Sequence, residues 1–207
     1  MVLGRPREFD VDIALDKAMD LFWTQGYEST SLHNLLSATG LSKSSLYKVF
    51  GSKKELFEKS IDRYSIKLHT SMAKGLATKA SGWAFIEDIL RFIIHEKERA
   101  AAPRGCLLIN SINEWSVHNQ EIQQRVIDRF YTFENLFEQA IIRAQKEGAI
   151  PQESNSKDLA AFLVCSISGL RSSVKAKSSS EKLDTLVQFI LSSLKARKQT
   201  GPIGPNI

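Results

Sequence analysis

The sequence contains few cysteines, few histidines and no long apolar run. Its two cysteines, Cys106 and Cys165, are too few for a disulfide framework, and their spacing matches no metal-binding motif. The four histidines are scattered, and no H-E-x-x-H, G-x-S-x-G or glycine-rich phosphate-loop pattern occurs. No uncharged apolar run approaches the ~20 residues of a transmembrane helix. We therefore expect a soluble cytoplasmic protein with no metal ion, no cofactor and no enzymatic activity; the alternative is a helical enzyme without a recognisable catalytic motif.

Strand-like alternation is also nearly absent, and apolar residues recur instead at helical spacing. Thr30 and Ser31 can cap a short helix, and Gly40 can end it. Ser42 can then cap the next helix, which gives a helix, a tight turn and a second helix within about twenty residues. A long helix is predicted around residues 122–144, and two amphipathic helices follow it. The pattern predicts an all-α fold.

The most basic stretch, GLSKSSLYKVFGSKK at residues 40–54, contains four lysines and no acidic residue in a chain of formal charge +5. At 100° per residue, one arc of about 140° contains four polar side chains, with Leu46 and Val49 opposite; these four are Lys43, Ser44, Tyr47 and Lys48. So short a helix must pack on its predecessor with the polar arc outward, as a recognition helix does in a major groove. The alternative is an ordinary solvated face, but Tyr47 among the lysines favours the DNA-binding interpretation.

Six short sequence segments, taken in their order along the first 57 residues, form a larger pattern. They are Gly4-Arg-Pro-Arg7, Ala18-Met-Asp-Leu-Phe22, Gly26-Tyr-Glu-Ser-Thr-Ser31, Gly40-Leu-Ser-Lys-Ser-Ser-Leu-Tyr47, Phe50-Gly-Ser-Lys53 and Glu55-Leu-Phe57. Together they closely resemble the N-terminal domain of TetR/AcrR-type bacterial transcriptional regulators. The resemblance implies an N-terminal three-helix DNA-binding domain at residues 1–52, with the helix-turn-helix at about 31–50. It also implies a larger C-terminal helical bundle for effector binding and dimerisation at 53–198, and we expect a flexible tail at 199–207.

The same resemblance implies a homodimer that binds palindromic double-stranded operator DNA, usually as a repressor, and that a small-molecule effector releases. The expected DNA-binding residues are Thr30, Ser31, Ser42, Lys43, Ser44, Ser45, Tyr47, Lys48 and Lys53. Lys43, Ser44 and Lys48 are expected to read base edges. Thr30, Tyr47 and Lys53 match family positions that touch phosphate. Ser45 matches a DNA-facing family position, although the helical wheel puts it near the packing edge.

The last two helices are expected to form the homodimer interface, because in the resembling family two helices of each subunit build it. Their apolar stripes contain Leu159, Phe162, Leu163, Ile167, Leu170, Leu183, Leu186, Val187, Ile190 and Leu194. The alternative is that both stripes complete the core of a single chain.

An effector pocket is expected among the helices between residues 85 and 137, where aromatic and polar side chains occur together. Its candidate residues are Phe92, Cys106, Asn110, Asn113, Trp115, Phe130 and Phe133. Glu114 is either a surface acid or a counter-ion for a cationic ligand. Cys106 follows Arg104 and begins a helix, a setting that favours a reactive thiolate. Release by oxidation or alkylation of Cys106 is therefore an alternative to effector binding, and a small buried core residue is the other interpretation.

Overall fold

A computed structural model describes residues 9–96, 104–115 and 120–196. Within these residues the chain forms nine helices and no strand, which confirms the predicted all-α fold. None of the described helices combines the length and the apolar character that crossing a membrane requires. The helices are α1 (Val11–Gln25), α2 (Leu32–Thr39), α3 (Lys43–Phe50), α4 (Lys53–Thr78), α5 (Gly82–Ile94), α6 (Leu107–Trp115), α7 (Gln120–Lys146), α8 (Ser156–Lys175) and α9 (Ser180–Lys195).

The described residues divide into two compact units. The first unit contains residues 9–70, 104–115 and 120–130, and the second contains residues 71–96 and 131–196. The division falls within α4 and within α7, so each of these long helices contributes residues to both units. The sequence-predicted boundary between residues 52 and 53 is a functional division and stays a prediction.

Local capping signals determine where the short helices of the first unit begin and end. Ser31 and Asn34 form a reciprocal capping box at the start of α2. At the start of α3, the Ser42 hydroxyl accepts a hydrogen bond from the backbone N–H of Ser45 at 3.2 Å. Gly40 ends α2 with a φ of 73°, in the left-handed region that favours glycine. The chain can therefore reverse direction between α2 and α3 within a few residues.

An aromatic cluster lies at the centre of the first unit. Phe22 of α1 and Phe57 of α4 are 1% and 0% exposed, and their ring centroids are 5.0 Å apart. The Tyr27 ring, from the turn after α1, lies 5.0 Å from the Phe57 ring. Leu35 of α2 and Leu46 of α3 are fully buried. Since burial of each such side chain contributes about 1.5–3 kcal/mol, these residues fix α2 and α3 against α1 and α4.

Close helix packing in the second unit depends on Gly82, the first residue of α5. A Cβ atom at this position would overlap the carbonyl oxygen of Ala140 and lie 2.8 Å from the backbone nitrogen of Ala144. The neighbouring Arg143 donates to the carbonyl of Leu76 at 2.7 Å and to two carbonyls beyond the end of α4. Arg143 thus satisfies carbonyl groups that the end of a helix leaves without helical partners.

Candidate nucleic-acid interface

The third helix presents one polar face and one buried face. Leu46 and Phe50 are 0% and 2% exposed and anchor α3 in the first unit. The exposed face agrees with the helical wheel, and Tyr47 keeps 43% of its surface accessible there. Lys43, Ser44 and Lys48 are the other exposed members of this face. Two ammonium groups, a hydroxyl and a phenol are therefore available on one side of a short, capped helix.

The serines at the start of α3 bond to one another. The Ser42 hydroxyl donates to Oγ of Ser45 at 2.9 Å and lies 3.0 Å from Oγ of Ser44. Ser42 and Ser44 are exposed, whereas Ser45 is half-buried. The Ser45 hydroxyl accepts the bond from Ser42 and keeps its own proton, so Ser45 can donate to the duplex without losing this bond.

Thr30 differs from the sequence-based expectation. Its side chain is fully buried, and its hydroxyl donates to the carbonyl oxygen of Gly26 at 2.5 Å. Its backbone N–H donates to the carbonyl of Tyr27 at 3.2 Å. Thr30 therefore closes the turn between α1 and α2 from inside, and the expectation that its side chain touches a phosphate is corrected. A single sequence shows that a threonine precedes the cap but not toward which side its hydroxyl points.

Ser31, the next residue, is exposed at the first turn of α2. Its backbone N–H donates to Oδ1 of Asn34 at 3.0 Å, and its hydroxyl accepts from the backbone N–H of Asn34 at 3.1 Å. The first amides of a helix point away along its axis and attract anions. The N-terminus of α2 is thus a suitable place for a DNA phosphate.

Lys53 begins α4 beside the same turn. Its ammonium nitrogen lies 4.2 Å from the centroid of the Tyr27 ring, a cation–π contact that fixes the direction of the side chain. Two residues further, Glu55 accepts a hydrogen bond from the backbone N–H of Ser52 at 2.6 Å. This bond holds the pKa of the Glu55 carboxyl below its ordinary value. Lys53 therefore shares the start of α4 with a carboxylate that is already engaged with the backbone.

Glu114, near the end of α6, contacts the same turn from a distant part of the sequence. Its Oε2 accepts from the backbone N–H of Tyr27 at 3.0 Å, and its Oε1 accepts from the backbone N–H of Glu28 at 2.7 Å. The sequence offered two roles for this acid, a surface charge or a counter-ion for a ligand. The structure gives it a third role, as the acceptor for the backbone amides of the turn. The sequence could not indicate this contact, because Glu28 and Glu114 are 86 residues apart.

The segment before α6 packs against α1 in the same unit. The guanidinium carbon of Arg104 lies 4.0 Å from the centroid of the Trp23 ring, and Nη1 of Arg104 donates to Oδ1 of Asp20 at 3.2 Å. The indole N–H of Trp23 donates to the carbonyl of Gly105 at 3.2 Å. Asn110 of α6 donates from its side chain to the carbonyl of Arg104 at 3.0 Å. The predicted pocket residue Asn110 therefore stabilises the start of α6.

Cys106 lies between this segment and α4. It is 8% exposed, and the hydroxyl of Tyr64, which is 6% exposed, donates to its sulfur at 3.6 Å. Its carbonyl accepts from the backbone N–H of Asn110 at 2.9 Å, so Cys106 begins the helix as expected. Cys165, the other cysteine, is exposed on α8. Any substituent added to the Cys106 sulfur must displace the Tyr64 hydroxyl or its neighbours.

The remaining predicted pocket residues differ in exposure, and their grouping in one pocket stays a prediction. Phe92 is 56% exposed at the edge of the buried stripe of α5, which corrects its expected place in an interior pocket. Phe133, in the second unit, is 7% exposed, and Phe130, in the first unit, is half-buried. The side chains of Asn113 and Trp115 lie outside the described residues.

The predicted dimer residues separate into buried and accessible groups. Seven of them are 9% exposed or less within the single chain: Leu163, Ile167, Leu170, Leu183, Val187, Ile190 and Leu194. These side chains pack in the core of the second unit, and their contact with a second subunit stays a prediction. Leu159 and Leu186 are half-buried, and Phe162 is 39% exposed. Phe189 of α9, absent from the predicted stripe, is 66% exposed.

Two family models match the chain. The model for bacterial regulatory proteins of the tetR family matches residues 14–59, which include α2 and α3. The model for the tetracyclin repressor-like C-terminal domain matches residues 83–190. The chain belongs to the TetR family. The predicted family resemblance is therefore confirmed, and this TetR-family chain contains a helix-turn-helix in α2 and α3.

Individual relatives extend along most of this TetR-family chain. It is 35% identical over 181 residues to the HTH-type transcriptional repressor ComR of Escherichia coli K12, covering 87% of this chain and 86% of ComR. It is 28% identical to the uncharacterized HTH-type transcriptional regulator YezE of Bacillus subtilis 168, covering 93% of this chain and 100% of YezE. A cysteine mutant of the TetR family regulator CifR, complexed with 26-base-pair operator DNA, matches with a TM-score of 0.79 and 27% identity. That match covers 92% of this chain and 100% of the CifR chain.

Proposed function

We propose that this protein is a transcriptional repressor that binds palindromic operator DNA as a homodimer through α3. The observation that supports this most directly is the exposed face of Lys43, Ser44, Tyr47 and Lys48 on a capped helix whose opposite side is buried. The relative ComR is named as a transcriptional repressor, and the CifR structure is a complex with operator DNA; both support the same function.

The residues of the interface divide by the part of DNA that they suit. Lys43, Ser44 and Lys48 face outward from the recognition helix and read base edges, where one good contact discriminates by about 1–3 kcal/mol. Tyr47 and Lys53, together with the first amides of α2 after Ser31, bind phosphate. Phosphate contacts add affinity on any sequence and make binding depend on salt.

The proposal is tested by selecting genomic fragments that the protein retains and measuring their affinity in gel shifts. Replacing both Lys43 and Lys48 by alanine is expected to weaken binding to a selected fragment by about a hundredfold, because two base contacts are lost. The control is the double alanine variant of Lys74 and Lys146, two exposed lysines of α4 and α7 that lie outside both the DNA-binding face and the proposed dimer helices. Equal affinity of the first variant and the wild type for the selected fragment would refute the assignment.

The homodimer of this proposal forms through the accessible side of α8 and α9. Phe162 and Phe189 are 39% and 66% exposed in the single chain. Gly169, in the middle of α8, has no atom within 4 Å of the place of a Cβ. A glycine in a helix is less favourable than alanine by about 1 kcal/mol, and close approach of a second subunit's helix gives a reason for it.

Analytical ultracentrifugation tests the dimer. Phe189→Glu is expected to produce monomers that stay folded, since the side chain contributes little to the core of its own chain. Ile66→Glu is the control, because Ile66 is 60% exposed and lies on α4. A wild-type protein that sediments as a monomer at micromolar concentration contradicts the dimer.

Two routes of release are candidates: binding of a small-molecule effector, and oxidation or alkylation of Cys106. The contact between the Tyr64 hydroxyl and the Cys106 sulfur, both buried beside α6, supports the second route. The probe is N-ethylmaleimide, whose carbon–carbon double bond takes up the sulfur at one carbon and the thiol proton at the other. Release of operator DNA by wild type and by Cys165→Ser, but not by Cys106→Ser, is the expected result. Equal release of Cys106→Ser excludes this route.

A further inference from the structure

The turn between α1 and α2, residues 26–30, is held from outside by one carboxylate. Glu114 accepts hydrogen bonds from two successive backbone amides, that of Tyr27 at 3.0 Å and that of Glu28 at 2.7 Å. Gly26 permits this approach, since a Cβ there would lie 3.2 Å from both carboxylate oxygens. The φ of Gly26 is 82°, which a side chain would also disfavour. The turn is therefore shaped to receive the carboxylate.

The same turn sets the positions of two groups that bind phosphate in the proposed function, the start of α2 and the Lys53 ammonium. Thr30 bonds back to Gly26 and Tyr27, so the conformation of the turn determines where Ser31 and the first amides of α2 lie. The Tyr27 ring is the platform beneath the Lys53 ammonium, 4.2 Å from the ring centroid. A shift of the Tyr27 backbone therefore moves both the start of α2 and the support of Lys53.

Glu114 is itself fixed by the other end of its helix. About 12 Å away along α6, the contacts of Trp23 with Gly105 and of Tyr64 with Cys106 attach this helix to α1 and α4. All of these residues belong to the first unit. The carboxylate consequently approaches the turn from a helix that is held in place independently of the turn.

We propose that Glu114 is a positioning residue for DNA binding, although it lies in the C-terminal half of the sequence and contacts the turn between α1 and α2. It holds the turn of residues 26–30 so that the start of α2 and Lys53 meet the phosphates while α3 occupies the groove. This inference rests on the proposed function. It gives Glu114 no contact with DNA and no ligand of its own.

The experiment measures operator affinity against salt concentration for wild type, Glu114→Ala and Glu114→Gln, with thermal unfolding recorded for each. Glu114→Ala is expected to weaken operator binding roughly tenfold, since hydrogen bonds to a charged acceptor are lost. The plot of log affinity against log salt is also expected to become less steep by about one unit, because one phosphate contact is lost. Glu114→Gln keeps one acceptor oxygen, so its operator affinity and salt slope are expected to lie between those of the wild type and Glu114→Ala.

The control is Glu87→Gln, which alters a carboxylate of α5 that bonds Arg91 in the second unit; its affinity and salt slope are expected to equal those of the wild type. A folded Glu114→Ala protein with wild-type affinity and salt slope overturns the inference. A loss of affinity with an unchanged slope also overturns it, since the phosphate contacts would then be intact. If Glu114→Ala does not fold, the slope of Glu114→Gln decides in the same way. Failure of the proposed function is a different result, in which the wild type prefers no selected fragment over random DNA.

Discussion

An ion-pair network joins α1 to α4 in the first unit, and its disruption gives a prediction with a defined pH dependence. Arg63 donates to Asp16 through Nε at 2.9 Å and Nη2 at 3.1 Å, and Lys67 donates to Asp16 at 2.6 Å. Asp12 accepts a further bond from Arg63 at 2.7 Å. The hydrogen bond from Arg63 is the main cause that lowers the pKa of Asp16 from 3.8 to about 2.

The size of the effect follows from this pKa. A carboxyl group whose pKa falls from 3.8 to about 2 on folding stabilises the native state by about 2.4 kcal/mol at neutral pH. The Asp16 side chain remains 33% exposed, so solvent screening reduces the contribution to about 1 kcal/mol. Because the pKa is lower in the folded state, the stabilisation is complete above about pH 4. It is lost as the pH falls through about 2.

Urea denaturation at fixed protein concentration measures this contribution. Asp16→Asn is expected to lower the free energy of unfolding by about 1 kcal/mol at pH 7. Its difference from the wild type should shrink steadily between about pH 4 and pH 2. Asp184→Asn, at an exposed position of α9, serves as the control and should match the wild type throughout. A difference for Asp16→Asn that stays constant over this pH range would refute the assignment to the ion pairs.

Two further predictions concern the interface and the packing of the second unit. Lys48→Ala should change the preference for particular operator positions by about 1–3 kcal/mol, whereas Lys53→Ala should weaken all sequences alike and lower the salt slope by about one. A panel of single-base operator variants checks this, and equal losses for both variants on operator and random DNA would contradict it. Gly82→Ala should lower the melting temperature strongly, because its Cβ would overlap the Ala140 carbonyl. Gly75→Ala is the matched control in thermal unfolding, since its Cβ would meet the Phe85 ring at an ordinary 3.4 Å; similar losses for the two would speak against the packing argument.

The parts of the fold that the sequence could predict are those with local signals. Ser31, Gly40 and Ser42 determine the ends of α2 and α3 through hydrogen bonds to residues three or four positions away. The polar arc of α3 can also be predicted from neighbouring residues alone, because side chains three or four positions apart lie on the same face of a helix. These features need no knowledge of the rest of the chain.

Features that depend on a distant partner were missed or misplaced. The bond from Glu114 to the turn joins residues that no sequence spacing relates, and the burial of Thr30 depends on how that turn folds over Gly26. The apolar stripe of α8 shows the same limit. Helical periodicity indicates that Leu163 and Phe162 avoid water, but it does not distinguish the core of one chain from a second subunit, and only Phe162 remains accessible.

The first unit includes residues from the middle of the chain, and this changes the expected effect of substituting them. Residues 104–115 and 120–130 pack in the same compact unit as the helix-turn-helix. Within it, Asp62 of α4 accepts from Arg125 at 2.7 Å and from Arg129 at 2.8 Å, both on α7. A division into an N-terminal DNA part and a C-terminal sensor part would classify substitutions at Arg125, Arg129 or Glu114 as sensor mutations. Their contacts are instead with α4 and the turn before α2, so their first effect should be on operator affinity in the absence of any effector.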